Sequence, residues 1–168
     1  ANALAAQGKD IINLGIGQPD FKTPPHIVEA AIKALKDGHH GYTPANGIPE
    51  LREAVARDIA RHRKVTVDPA DVIIVPGGKV TMFFAVLALG EPGAEIIYPN
   101  PGFPIYESVI KFTGATPVPM ALHEDKGFAF SAEEVLALIT PRTRLIILNS
   151  PANPTGGAVP REEMDKLA

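Results

Sequence analysis

The chain has 168 residues, of which 45% are hydrophobic, 21% charged and 6% aromatic; this composition is typical of a globular domain and excludes a disordered, fibrous or membrane-spanning chain. Sixteen Lys and Arg against nineteen Asp and Glu give a net charge of -3, which argues against nucleic-acid binding. No cysteine is present, so disulfides and cysteine-ligated metals are excluded and no metal site is predicted. Without a bilayer-length apolar run or a signal peptide, we expect a soluble, cytoplasmic protein.

The first predicted elements are two amphipathic helices. Apolar residues recur at helical spacing between Ile27 and Leu35, with Thr23 expected to cap the start of this helix and Gly38 to end it. A second helix is predicted over residues 49–62, where apolar residues recur every four positions.

From residue 72 the pattern changes to short apolar runs separated by helical stretches, which is typical of βαβ units with a parallel sheet covered on both faces. The predicted strands are residues 72–75, 95–98, 116–120 and 144–148, and the predicted helices between them are residues 79–89, 104–112 and 131–139. Ser131 and Glu134 are expected to form a capping box at the start of the last of these, and a further helix is expected from Arg161. The predicted fold is α/β, with three αβα layers around a mostly parallel sheet that follow an N-terminal helical segment.

Candidate chemistry lies in the loops that follow the predicted strands, because ligands of an open parallel sheet bind outside the carboxyl ends of its strands. Pro-Gly-Gly-Lys at 76–79 offers backbone N–H groups and a helix start to a phosphate, although a simple tight turn explains it as well. The proline-rich loop 98–104 places Phe103 either to stack on a flat ligand or to plug the core. In the loop 149–157, Asn153 either bonds an anionic oxygen or serves the turn alone.

Taken together and in this order, these segments resemble the fold type I aminotransferases that use pyridoxal 5'-phosphate, the class I and II aminotransferase family. The resemblance extends from about Asn13 to the C-terminus and is strongest in Asn-Ser-Pro-Ala-Asn-Pro-Thr-Gly at 149–156. Residues 15–24, Gly-Tyr-Thr-Pro at 41–44 with residues 47–52, and Gly-Gly-Lys at 77–79 support it. It implies an incomplete pyridoxal-phosphate transferase-like large domain over residues 41–168, after a segment, residues 1–40, that belongs to the small domain or a dimer arm.

The resemblance also implies how the cofactor is held. The backbone amides of Gly78 and Lys79 would bind its phosphate, and Phe103 would stack on its pyridine ring. Asn153 would bond the phenolic oxygen and help to keep it ionised.

Two further roles follow from the resemblance, both involving partners of this chain. Tyr42 would reach the phosphate in a neighbouring subunit, so that the site would be shared across a homodimer. Gly17 would present its backbone to the α-carboxylate of the substrate. The family also often has cis peptide bonds before the residues that correspond to Pro101 and Pro154.

The implied activity is transfer of an amino group between an amino acid and a 2-oxo acid through a Schiff base of the cofactor. The family places the Schiff-base lysine, in a Ser-Lys context, beyond Ala168, and the acidic partner of the pyridine nitrogen and the substrate-binding arginine are missing as well. We therefore expect the chain to be a piece of a longer protein, inactive as a transaminase by itself, with an uncovered apolar sheet edge and face.

Three alternatives stay open at the level of sequence. A carbon-sulfur lyase of the same fold would keep every motif. A transcriptional regulator would keep an aminotransferase-like domain for sensing and add a DNA-binding domain. A βαβ nucleotide-binding module outside this family is the third. The amino acid substrate is not predicted, because specificity depends on the groups that line the side-chain pocket.

Overall fold

A computed structural model of the chain describes residues 1–12, 15, 17 and 19–168; Asn13, where the resemblance begins, lies outside the described residues. The chain divides into two compact units, Ala1–Ile48 and Pro49–Ala168. The predicted domain boundary after residue 40 stays a prediction. None of the helices in the described part of the chain has the length and apolar character needed to cross a membrane.

The first unit contains two helices, α1 (Asn2–Ala5) and α2 (Pro25–Lys36). The short helix α1 was not predicted. The predicted end of α2 is confirmed, because the backbone N–H of Gly38 turns back to donate to the carbonyl of Leu35 at 3.1 Å, as is usual where a glycine follows a helix.

The second unit alternates helices and strands. Its elements are α3 (Pro49–Arg63), a 3-10 turn (Pro69–Asp71), α4 (Gly78–Leu89), β1 (Glu95–Asn100), α5 (Ile105–Phe112), β2 (Thr116–Ala121), a 3-10 turn (Glu124–Lys126), α6 (Ala132–Leu138), β3 (Thr143–Ile146) and α7 (Arg161–Leu167). The strands are parallel and lie in the order β2-β1-β3. Because β1 and β3 are adjacent and parallel, the loops that follow them lie at the same edge of the sheet.

Helices pack on both faces of this sheet, which confirms the predicted three-layer α/β fold, whereas the edge strands β2 and β3 are only partly buried. Ile96 of β1 is fully buried on one face, in a cluster with Val86 of α4 and Ile110 of α5. Its neighbour Ile97 is fully buried on the other face, in a cluster with Val135 of α6. Because successive side chains of a strand point to opposite faces, a continuous apolar run such as this one needs a helical layer on each side.

The prediction of a strand over residues 72–75 is wrong. The segment starts extended, with Val72 at φ -94° and ψ 126°, but it pairs with no strand among the described residues. Arg52 of α3 instead donates to the Val72 carbonyl at 3.0 Å, and the side chain of Ile73 is 68% exposed. A run of apolar, β-branched residues favours an extended conformation, but the segment becomes a strand only when a neighbouring strand forms backbone hydrogen bonds with it.

Two predicted helix caps are also wrong. Pro24 occupies the N-cap position of α2 and no side chain caps that helix, so the Thr23 hydroxyl comes one residue too early to reach the first free N–H groups. Ser131 is the N-cap of α6 but makes no side-chain cap bond. The carboxylate of Glu134 lies 2.6 Å from His123 Nε2, and Glu163 of α7 accepts from the first N–H of α6 at 2.6 Å.

Candidate active site

A pocket of about 490 Å³ lies where the start of α4 meets the loops that follow β1 and β3. It is lined by residues from three stretches of sequence: Gly78, Lys79, Met82, Phe103, Tyr106, Ile147, Leu148, Asn149 and Asn153. The structure thus brings together four of the six predicted site residues, although these come from three separate loops. A volume of this size is within the range of small-molecule sites.

One end of the pocket is the start of helix α4. Gly77 is the N-cap, in a conformation with φ 86° and ψ 156°, and Gly78 and Lys79 form the first turn. The first N–H groups of a helix have no intrahelical acceptor, and together with the helix dipole they attract anions. No acidic residue lies in this first turn, so nothing in it opposes an anionic ligand.

The aromatic ring of Phe103 forms another wall. Phe103 is half-buried and packs against the core cluster of α4, α5 and β1, so it contacts the core and lines the pocket at once. Its ring meets that of Tyr106 edge to face, with centroids 6.0 Å apart and an interplanar angle of 73°. The Lys79 ammonium lies 5.6 Å from the Phe103 centroid, close enough for a cation–π interaction.

Asn153 stands in the loop after β3. The backbone of this loop is closed by two hydrogen bonds of 2.7 Å, from Ala152 N–H to the Gly157 carbonyl and from Gly156 N–H to the Ala152 carbonyl. Ala152 is buried, whereas Asn153 is exposed toward the pocket. Within the described part of the chain, no partner is found for the Asn153 side-chain amide, which leaves its donors available to a ligand.

The peptide bonds before Pro101 and Pro154 are cis, as the resemblance implied, and so is the bond before Pro151. The last of these was not predicted.

Two polar pocket residues were missed at the level of sequence, Tyr106 and Asn149. The Tyr106 ring is 7% exposed, and burial raises the pKa of its hydroxyl above the ordinary value of 10.0. That hydroxyl lies 3.3 Å from the Asn149 amide. Tyr106 lies in the predicted helix 104–112, but Phe103 precedes that helix, so helical spacing did not indicate that the two side chains line one pocket.

The other two predicted site residues, Tyr42 and Gly17, belong to the unit Ala1–Ile48. Tyr42 is fully exposed, at 112% of its reference area. Around Gly17, no heavy atom comes within 4 Å of the position that a Cβ would take. Their predicted roles stay predictions.

Comparison with known proteins identifies the family of this chain. The family model for "Aminotransferase class I and II" matches residues 9–168. The probable aspartate/prephenate aminotransferase of Aquifex aeolicus is 42% identical over 168 residues, which are 100% of this chain and 43% of that protein. The arginine–pyruvate transaminase of Pseudomonas aeruginosa is 40% identical over 168 residues, again 100% of this chain and 43% of that protein.

Among solved structures, the aspartate aminotransferase from Thermus thermophilus with maleate superimposes with a TM-score of 0.93 at 40% identity. The match covers 99% of this chain and 44% of that chain. The chain thus spans less than half of the length of each of these relatives. With a family model that matches nearly all of its residues, the chain belongs to the class I and II aminotransferase family.

Proposed function

We propose that this chain forms a cofactor-binding part of a pyridoxal-phosphate-dependent aminotransferase, which transfers an amino group between an amino acid and a 2-oxo acid. The observation that supports this most directly is that Gly78, Lys79, Phe103 and Asn153 line one pocket. The activity is a proposal about the whole protein, because the chain spans only 43% of the Aquifex relative.

The groups in the pocket suit a flat, phosphorylated ring. The helix start at Gly78 suits a phosphate, the Phe103 ring offers a face for stacking, and the unpaired amide of Asn153 is a donor for an ionised ring oxygen. Pyridoxal phosphate, when bound, acts as an electron sink for the substrate's α-carbon and holds the amino group between the half-reactions.

The roles of the chain's own residues follow from their chemistry. The N–H groups of Gly78 and Lys79 would anchor the phosphate, and the Phe103 ring would fix the plane of the cofactor and exclude water from one side. A hydrogen bond from the Asn153 amide would favour the ionised form of the ring oxygen, because donors stabilise the charged form of an acid.

We infer a homodimer with a shared site from the unit Ala1–Ile48. A fully exposed Tyr42 leaves its whole ring and hydroxyl free to meet the phosphate in a second subunit. The open space around Gly17 leaves its backbone accessible to the substrate's carboxylate, which a side chain would obstruct.

The substrate class stays at an amino acid and a 2-oxo acid. The names of the relatives include aspartate, prephenate, arginine and pyruvate, so they do not select one donor for this chain. A cytoplasmic location stays a prediction.

Titration of the chain with pyridoxal phosphate, followed by the cofactor's absorbance and fluorescence, tests the proposal. We expect saturable binding that Phe103→Ala weakens about 2- to 12-fold, the range of one aromatic contact. Phe112→Ala is the matched control, since Phe112 is 72% exposed and does not line the pocket. Wild-type protein that does not bind the cofactor, or equal effects of the two substitutions, would contradict the proposal.

We expect binding without turnover from the 168 residues alone. Within the described part of the chain, Lys79 is the one lysine that lines the pocket, and it lies in the proposed phosphate-binding turn. Conversion of an amino acid to its oxo acid by this chain with added cofactor would refute that expectation.

A further inference from the structure

Tyr106 of α5 contacts two walls of the pocket, Phe103 and Asn149. Its ring packs edge to face on Phe103 at 6.0 Å, and its backbone N–H donates to the Phe103 carbonyl at 3.1 Å. Its hydroxyl lies 3.3 Å from the amide of Asn149 in the loop after β3. The ring itself is 7% exposed, in the core cluster with Ile96 and Ile110. Tyr106 therefore has a fixed position from which it reaches two loops.

The Asn149 amide connects that hydroxyl to Asn153. One orientation of the amide satisfies both of its ends: Nδ2 donates to the Pro151 carbonyl at 3.1 Å, and Oδ1 accepts from the Asn153 backbone N–H at 3.1 Å. In this orientation Oδ1 also faces the Tyr106 hydroxyl, which donates to it. The hydroxyl and the Asn153 N–H thus share one acceptor, and the Asn149 side chain bonds both residues that flank Ala152.

We propose that Tyr106 is a positioning residue that sets the Asn153 amide and the Phe103 ring relative to each other, acting on Asn153 through Asn149. The inference about position concerns the protein without ligand. Its consequence for pyridoxal phosphate rests on the function proposed above, in which Phe103 meets the ring face and Asn153 meets the ring oxygen.

A purely structural role predicts something different. If the Tyr106 hydroxyl only satisfies a buried polar group, its removal lowers the free energy of unfolding and leaves Asn153 where it was. If the Tyr106 hydroxyl positions Asn153, its removal weakens the hydrogen bond from the Asn153 N–H to Asn149. The conformation of the loop after β3 then changes although the rest of the fold is intact.

The first experiment compares backbone amide exchange and chemical shifts of Asn153 by NMR in the ligand-free wild type, Tyr106→Phe and Tyr98→Phe. Tyr98 is the matched control: it is 9% exposed in the same core cluster, and no hydrogen bond of its hydroxyl is found among the described residues. We expect Tyr106→Phe to shift the Asn153 amide and speed its exchange about 2- to 12-fold, the equivalent of one net hydrogen bond. Tyr98→Phe should do neither. An Asn153 amide unchanged by Tyr106→Phe would overturn the proposal.

The second experiment measures dissociation constants for pyridoxal phosphate and for inorganic phosphate. Tyr106→Phe should weaken pyridoxal phosphate binding about 2- to 12-fold and leave inorganic phosphate binding unchanged, because phosphate alone does not reach Asn153. In an Asn153→Ala background the same substitution should have no further effect, since its action passes through Asn153. Asn149→Ala, which removes the shared acceptor without altering the core, should reproduce the loss.

The outcomes separate the two proposals. A wild type that binds no pyridoxal phosphate refutes the proposed function, and the Asn153 amide comparison then decides by itself whether Tyr106 positions that residue. A wild type that binds, together with a Tyr106→Phe loss that persists in full in the Asn153→Ala background, overturns the positioning role and leaves the proposed function standing.

Discussion

The two adjacent glycines at the start of α4 are predicted to respond oppositely to alanine. Gly77 has φ 86° and ψ 156°, a region that is populated almost entirely by glycine. Gly78 is the first residue of the helix and has no positive φ. At neither residue does any heavy atom lie within 4 Å of the position that an added Cβ would take. The comparison therefore isolates backbone conformation from steric overlap.

The expected magnitude follows from these two conformations. Alanine at either position restricts the unfolded chain by the same amount, about 0.4–1 kcal/mol, so this contribution cancels between the two variants. What remains is the native-state strain at Gly77, about 1–3 kcal/mol. Gly77→Ala should thus have a free energy of unfolding lower than that of Gly78→Ala by about this amount.

Urea unfolding followed by circular dichroism at 222 nm measures the difference. With a slope of about 2 kcal/mol per molar urea, a difference of 2 kcal/mol shifts the midpoint by about 1 M. Equal midpoints for Gly77→Ala and Gly78→Ala would refute the reasoning, because they would show that the turn before α4 tolerates a side chain at Gly77.

Three other substitutions test contacts elsewhere in the unit Pro49–Ala168. In Gly157→Ala the new Cβ would lie 2.3 Å from the Gly127 carbonyl oxygen, so we expect a loss of about 1–3 kcal/mol, measured by thermal unfolding; an unchanged melting temperature would contradict the close approach. Ile110→Ala empties a fully buried site and should cost about 2–5 kcal/mol by urea unfolding, and a loss below 1 kcal/mol would argue against that burial. The hydrogen bond from the Ala132 N–H, together with Lys166, lowers the pKa of Glu163 below 4.5. The ionised Glu163 carboxylate therefore stabilises the fold above pH 4.5. This stabilisation is lost as the pH falls toward the pKa of Glu163 in the folded protein. The stability difference between wild type and Glu163→Gln should accordingly shrink between pH 5 and pH 3, and a difference independent of pH would be the contrary result.

The elements whose formation depends on local sequence were predictable. The apolar run at Ile96 and Ile97 predicted β1, because a parallel strand buried on both faces has no polar alternation. The convergence of Phe103 and Asn153 was predictable too, since the exits of parallel strands share one edge of a sheet. Neither inference needed knowledge of a distant contact.

Two of the three wrong predictions depend on partners elsewhere in the chain, whereas the Thr23 cap was wrong by one residue, since Pro24 is the N-cap of α2. Residues 72–75 have the composition of a strand, but no neighbouring strand among the described residues pairs with them. The composition of the segment itself cannot indicate this. The capping box at Ser131 did not form, because the Glu134 carboxylate that it needs pairs with His123 instead. The N–H of Ala132 donates to Glu163, and no local pattern indicates that a carboxylate 31 residues later supplies an acceptor at this helix start.

The walls of the pocket differ in how they are held in place, because their side chains are anchored in different parts of the structure. Phe103 packs into the core cluster through Tyr106, whereas Asn153 is exposed and its loop is closed by backbone bonds. A change in the core should therefore move the ring wall, and a change in the loop after β3 should move the amide, each without the other. A change at Tyr106 should instead affect both walls, because Tyr106 packs against the Phe103 ring and its hydroxyl bonds to Asn149 in the loop after β3.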